Sequence, residues 1–288
     1  MKTSQIPKRL NFIIVLFLFF SISCCNKPKS QNQATPLSNT DLTTLPQDVG
    51  GTHMPVYLTN NNPFGYYIYT PSGYDNNQAS YPLLVFLHGS GQRGNSMTNP
   101  DDLNKILSYG PPLLISQKRW SPRYPMIVAS PQSSQNFDPK LVNDFIKDLI
   151  SRYRVNTHRI YLTGLSLGGG GIMSYLISYS NNGYAAAAVP MSGGGFEGNP
   201  TVTMYSNISK VPVWAFCGGD DAALPNLLKT INAINQLKPT LKTKLTVFPG
   251  LGHDIWDITY SGSGMGKESR DYDAFNTTIY DWMFQYAK

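Results

Sequence analysis

The stretch RIYLTGLSLGGGG, Arg159 to Gly171, decides the fold. Ile160, Tyr161, Leu162 and Thr163 are the β-branched, aromatic and apolar residues of a buried strand. They run directly into Gly164-Leu165-Ser166-Leu167-Gly168, and Ile172 to Tyr179 then reads as a helix. Strand, sharp turn and helix together hold a serine at the apex with its hydroxyl outward, and the flanking glycines are needed because a side chain there would clash. A helix that starts at the serine aims its free N–H groups and positive dipole end at negative charge developing beside the hydroxyl. Ser166 is therefore the candidate nucleophile.

Around this stretch, apolar runs alternate with helical ones. Tyr81 to Leu87 (YPLLVFL) is continuously apolar, as expected of a strand covered on both faces. Met126 to Ser130, Ala185 to Met191, Val211 to Phe216 and Lys244 to Phe248 repeat the pattern. Val56 to Leu58 and Tyr66 to Tyr69, parted by Asn-rich and Pro-containing punctuation, predict a hairpin at the antiparallel edge. Helical spacing occupies 101–117, broken by Pro111-Pro112, and then 138–153, 226–237 and 275–287. In the second of these, Leu141, Phe145, Leu149 and Ile150 are expected to share a face, with Asp138 and Pro139 as cap and first turn. Such alternation predicts an α/β fold: a mostly parallel central sheet with helices on both faces and its chemistry at the carboxyl ends of the strands. No repeat or linker divides the body, so 52–288 is expected to be one catalytic domain.

The other strand ends supply partners for Ser166. Val213 to Phe216 leads into Cys217-Gly218-Gly219-Asp220-Asp221, where a carboxylate can accept from an imidazole N–H, fix its tautomer and stabilise the imidazolium. Asp221 is chosen over Asp220. Lys244 to Phe248 leads into Pro249-Gly250-Leu251-Gly252-His253, a glycine-rich turn from which an imidazole can reach over the sheet edge as general base. His53 precedes the sheet, His158 lies at the start of the nucleophile strand, and His88 is followed by a turn whose backbone matters more. The chain order Ser166, Asp221, His253 is that of the α/β-hydrolases among serine-triad enzymes.

Hydrophobic content of 41% and 14% charge over 288 residues describe a globular chain with a sizeable core. The net charge of +6 is no sign of nucleic-acid binding. Three of the 23 basic residues (Lys2, Lys8, Arg9) stand in the acid-free first 25 positions, which leaves 20 scattered basic residues against 17 acidic ones. Residues 1–25 read as a secretory signal: a basic start, the apolar run Phe12 to Phe20, too short to span a bilayer, then Ser21 to Ser23. A small residue before cysteine at that place resembles the lipobox of bacterial lipoproteins, with Ser21 where leucine is preferred. Cys24 is then the lipidated residue, Cys25 the alternative, and the destination the bacterial cell envelope. Residues 26–51, rich in Asn, Gln, Ser, Thr, Pro and Lys, are expected to be a solvated tether. Cys217 is left as the single cysteine of the body, so no disulfide forms within it.

LHGSGQRG (Leu87 to Gly94), TGLSLGGGG (Thr163 to Gly171), PVWAFCGGDDAALP (Pro212 to Pro225) and FPGLGHDIWD (Phe248 to Asp257) together resemble the dienelactone-hydrolase and carboxylesterase-like branch of the α/β-hydrolase superfamily, near the feruloyl and acetylxylan carbohydrate esterases. The resemblance runs from about Val56 to the end. It implies backbone N–H groups of Ser90 and Leu167 as oxyanion donors, Asp221 as the acid, and no cofactor or metal. Relatives often carry histidine where Cys217 stands; here the cysteine is expected to pack at the strand end. The activity implied is ester hydrolysis on a small-molecule or polysaccharide-linked ester. The twenty or so residues between Met191 and Val211 are too few for a large cap, so the site is expected to be open, with Trp256 and Trp120 as aromatic candidates beside it. Rival readings are a prolyl-oligopeptidase-like peptidase and an inactive ligand-binding member of the fold.

Overall fold

The apolar runs assemble into one sheet of eight strands in the computed structural model, which describes residues 39–193 and 200–288 and the backbone of the short strand β1 (Thr35–Pro36). The sheet strands are β2 (Thr52–Val56), β3 (Gly65–Thr70), β4 (Tyr81–Leu87), β5 (Ile127–Gln132), β6 (Val155–Leu165), β7 (Ala185–Met191), β8 (Trp214–Gly218) and β9 (Lys244–Phe248). Their order is β2-β3-β5-β4-β6-β7-β8-β9, and β3 alone runs against the others. This mostly parallel, open sheet with helices on both sides is the α/β-hydrolase fold. The strand carrying Ser166 lies in its middle, between β4 and β7.

Alternation along the strands sends successive side chains to two separate cores. Leu84 and Phe86 of β4, with Tyr161 and Leu165 of β6, pack on the face covered by α2 (Gly110–Ser116), α7 (Trp256–Tyr260) and α8 (Ile279–Met283). Leu83, Val85 and Leu87, with Ile160 and Leu162, pack on the face covered by α3 (Pro139–Arg152) and α4 (Leu167–Tyr179). α5 (Val202–Ile208) and α6 (Leu224–Gln236) complete the connections around β8. Residues 194–199 lie outside the described residues, and the described part of the β7–β8 connection contains α5 and no further helix.

Several expectations need correction. The stripe that α3 buries is Val142, Phe145, Ile146 and Leu149, a regular i, i+3, i+4, i+7 set, and Leu141 is 43% exposed. The expected cap is present: the Leu141 N–H donates to Asp138 Oδ1 at 3.0 Å. The helical stretch over 101–117 is broken as expected, into a 3-10 helix (Pro100–Ser108) and α2, and Pro111 and Pro112 sit in the first turn of α2, where a missing N–H costs no intrahelical bond. The helix expected over 275–287 is confined to α8, whose start is fixed by Thr278 accepting from the Asp281 N–H. Tyr286–Ala287 instead forms β10, paired antiparallel with β1. The hairpin also starts earlier than expected, from Thr52, and Tyr57 and Leu58 have left the ladder: the Leu58 N–H donates to Ser96 Oγ.

Part of the tether expected over 26–51 is folded instead. Residues 39–51 are part of the folded body, where Leu42, in α1 (Thr40–Thr43), is 1% exposed. Asp41 accepts two bonds of 2.6 Å from the Nε and Nη2 of Arg159, a buried guanidinium on β6, which also donates to the Phe284 carbonyl. Asp48 accepts from Tyr69 Oη and from the Ser72 N–H. A polar composition hid these contacts because they are made by charged and hydroxyl groups rather than by an apolar stripe. Residues 1–25, with Cys24 and Cys25, and residues 26–34 lie outside the described residues. Among the described residues no helix is long and apolar enough to cross a membrane.

Candidate active site

The site forms where β4, β6, β8 and β9 end together. Ser166 is the apex between β6 and α4, at φ 51° and ψ −112°, a left-handed conformation that strains a residue with a side chain. Two backbone bonds hold it there: its N–H donates to the Met191 carbonyl at 2.8 Å, and its carbonyl accepts from the Gly170 N–H at 3.1 Å. The close approach of α4 to β4 requires Gly168, since a β-carbon there would overlap the Leu87 carbonyl.

The imidazole of His253 spans the gap expected of it. Its Nε2 lies 2.8 Å from Ser166 Oγ and its Nδ1 3.0 Å from Asp221 Oδ2. Asp221 is buried and Asp220 exposed, which separates the two candidate acids. Burial pushes the Asp221 carboxyl up, but the Ala223 N–H, the Ser192 hydroxyl and His253 outweigh it and hold the carboxyl below its ordinary value. An ionised Asp221 therefore faces an Nδ1–H, leaving Nε2 free to accept from the serine hydroxyl. The other three histidines lie elsewhere. His53 packs against Tyr67, and His158 bonds the Lys288 carbonyl. His88 is fully buried, donates from Nδ1 to the Gly89 carbonyl and accepts the Ser133 N–H on Nε2. Burial lowers its pKa to about 4, so it is a neutral pin for the loop that carries Ser90.

Ser90 and Leu167 are each the first residue of a helical turn, so neither N–H has an acceptor within its own helix. Ser90 and Ser166 both line a cleft of about 170 Å³. Gln92 fixes the Ser90 loop by accepting the Gly89 N–H and donating to the carbonyls of Lys105 and Ile106. Trp256 also lines the cleft, its ring edge-on to His253 with centroids 5.2 Å apart, and Tyr109 packs edge-on to Trp256. Trp120 does not line it and borders a different cavity. The His253 side chain is 50% exposed, so the cleft opens to solvent. Among the described residues no cluster of His, Cys, Asp and Glu could hold a metal ion.

Beside the acid stand Cys217, packed at its strand end as expected, and Ser192, which was not found from sequence. Cys217 points Sγ at Asp221 Oδ2, 3.5 Å away; burial, with Asp221 beside it, pushes the thiol up to about 12, so it stays protonated. Ser192, just past β7, is buried at φ 47°, its N–H donates to the Phe216 carbonyl, and its hydroxyl lies 3.1 Å from the His253 carbonyl. The single proton of the Ser192 hydroxyl goes to the His253 carbonyl or to Asp221, whose carboxyl it helps to hold below the ordinary value. Its place at a strand end was the signal available, but its role depends on an uncommon backbone conformation that no residue pattern announces.

Similarity to other proteins is spread over most of the chain. It resembles a feruloyl esterase module from Clostridium thermocellum (21% identity over 90% of this chain and 95% of that one, TM-score 0.56). It also resembles a fluorophosphonate-binding serine hydrolase F (12%, 82% and 99%, TM-score 0.58) and an S-formylglutathione hydrolase (14%, 83% and 100%, TM-score 0.57), both from Staphylococcus aureus. At such identities the likeness is one of fold. No curated protein matches the sequence. The model of the dienelactone hydrolase family matches residues 121–286, more than half of the chain.

Proposed function

The chain belongs to the dienelactone hydrolase family and is a serine carboxylic-ester hydrolase, and on that premise we propose that it removes acyl groups from saccharides outside the cell, with Ser166, His253 and Asp221 as its triad. The observation that carries the triad reading is the hydrogen-bonded row from Ser166 Oγ through His253 to Asp221, with links of 2.8 and 3.0 Å. In this mechanism His253 takes the serine proton as Oγ attacks the ester carbonyl. The Ser90 and Leu167 N–H groups receive the oxyanion, a contribution of about 3 kcal/mol per donor. The alcohol leaves with the proton from His253, and water repeats the cycle on the acyl-enzyme.

The cleft supports the substrate class in two ways. It is open at His253, which admits an ester carried on a large alcohol, and Trp256 and Tyr109 offer aromatic surface to a flat acyl group. Export rests on the basic start, the run Phe12 to Phe20 and the small residues before Cys24, the proposed lipid-bearing residue. The test is a hydrolysis screen of the purified protein on 4-nitrophenyl acetate, methyl hydroxycinnamates, acetylated xylo-oligosaccharides and proline-containing peptides. Release of acid from the saccharide esters supports the proposal; cleavage of the peptides alone overturns it.

Ser192 enters as a positioning residue. Ser192→Ala is expected to lower kcat on 4-nitrophenyl acetate about tenfold, ~1.4 kcal/mol, the scale of one lost hydrogen bond to a charged group. KM should stay within twofold, because Ser192 is buried and does not line the cleft. Steady-state kinetics that show an unchanged kcat would remove Ser192 from the account.

A further inference from the structure

The helices that border the catalytic cleft also border a second cavity. Tyr109, the N-cap of α2, and Trp256, the first residue of α7, line the cleft; Leu114 and Tyr260, further along the same helices, line a cavity of about 380 Å³. Four or five helical residues advance the chain by only about 6–8 Å, so both depressions lie within reach of one extended ligand.

The wall of the second cavity has a distinctive chemistry. Trp120 lies edge-on to Tyr280, with centroids 5.0 Å apart, which gives a rigid aromatic surface. Trp120 Nε1 is a buried donor, and Asp281 Oδ1 a buried acceptor, neither with a hydrogen-bond partner among the described residues. Native proteins rarely leave such atoms unmatched. Asp281 Oδ1 is covered by the Nε of Arg123 at 3.4 Å, an ion pair whose arginine is 67% exposed and free to swing aside. Arg119 adds a second exposed guanidinium. A hydroxyl both accepts and donates, so a ring bearing several hydroxyls can bond the exposed guanidinium groups at the rim while its C–H face lies on the aromatic surface, and it reaches the covered indole N–H and carboxylate once Arg123 has moved. Two guanidinium groups against one carboxylate make inorganic phosphate the ligand to test against a sugar, and the charged rim disfavours an apolar ligand.

We propose that this cavity is a sugar-binding subsite that holds the saccharide part of the substrate while its ester lies at Ser166. The placement relative to Ser166 rests on the saccharide-ester reading above; sugar binding by itself does not. Calorimetric titration of the Ser166→Ala protein with unesterified xylohexaose is expected to show saturable binding in the millimolar range, weakened at least tenfold by Trp120→Ala and about threefold by Arg123→Ala. Arg123 is exposed, so its replacement keeps the test valid if Trp120→Ala fails to fold. On acetylated xylo-oligosaccharides, Arg123→Ala should raise KM about threefold at unchanged kcat and leave 4-nitrophenyl acetate turnover within twofold. Binding of inorganic phosphate in place of xylohexaose, no binding of xylohexaose, or binding unaltered in both variants overturns the subsite. Saturable binding without any saccharide-ester hydrolysis would leave the subsite standing and remove the proposed substrate.

Discussion

Ser166→Ala is expected to reduce kcat on 4-nitrophenyl acetate by about 10⁵- to 10⁶-fold, roughly 7–8 kcal/mol of lost transition-state stabilisation. The size follows from what the hydroxyl does: it is the atom that bonds to the acyl carbon, and His253 and Asp221 act through it. Residual turnover then comes from the cleft and the oxyanion donors alone. The fold should survive, because the serine is fixed by backbone bonds to Met191 and Gly170, which alanine also makes. Thermal unfolding within a few degrees of the unaltered protein, beside single-turnover kinetics, checks both halves. Turnover within a hundredfold of the unaltered enzyme would show that Ser166 is not the nucleophile.

Gly168→Ala should cost the fold about 4 kcal/mol or more, at the far end of what one methyl group can do. A β-carbon at Gly168 would collide with the Leu87 carbonyl oxygen and come within 2.9 Å of the His88 carbonyl oxygen, both backbone atoms of a strand end locked between β5 and β6. No rotamer relieves a clash with backbone, so either α4 moves off the sheet or the turn at Ser166 opens. Gly170 is the control, two residues along the same helix, where a β-carbon meets nothing within 4 Å. Gly170→Ala is expected to be neutral or to stabilise by up to about 1 kcal/mol through helix propensity. Urea unfolding of the two variants side by side measures the difference, and equal stabilities would discard the close-packing argument.

Much of this arrangement was legible in the residues because buried parallel strands must be apolar on both faces. Tyr81–Leu87 and Ala185–Met191 appear in the structure with the bounds read from the sequence, and the strand ends that carry Ser166, Asp221 and His253 meet at one rim. Where periodicity is weak, reading failed. Residues 275–287 have helical spacing, yet a capped five-residue helix and a strand pairing divide them. Asn39 to Gly51 looked solvated because a polar side chain that pays for its burial with hydrogen bonds has the same letters as one in water. Choosing between Asp220 and Asp221 was possible from motif, but the reason, one acid buried and the other exposed, belongs to tertiary structure. Trp120 and Trp256 were equivalent candidates in sequence, and only α7 beside the triad separates them.

The ion pair between Asp41 and Arg159 has a directional meaning. Arg159 is the fifth residue of β6 and Ser166 stands just past its end, about 23 Å of extended chain apart. Residues 39–51 are thus fastened to the body on the side of β6 away from the reacting groups. A change at this ion pair therefore acts on the fold from the end of the sheet away from the triad.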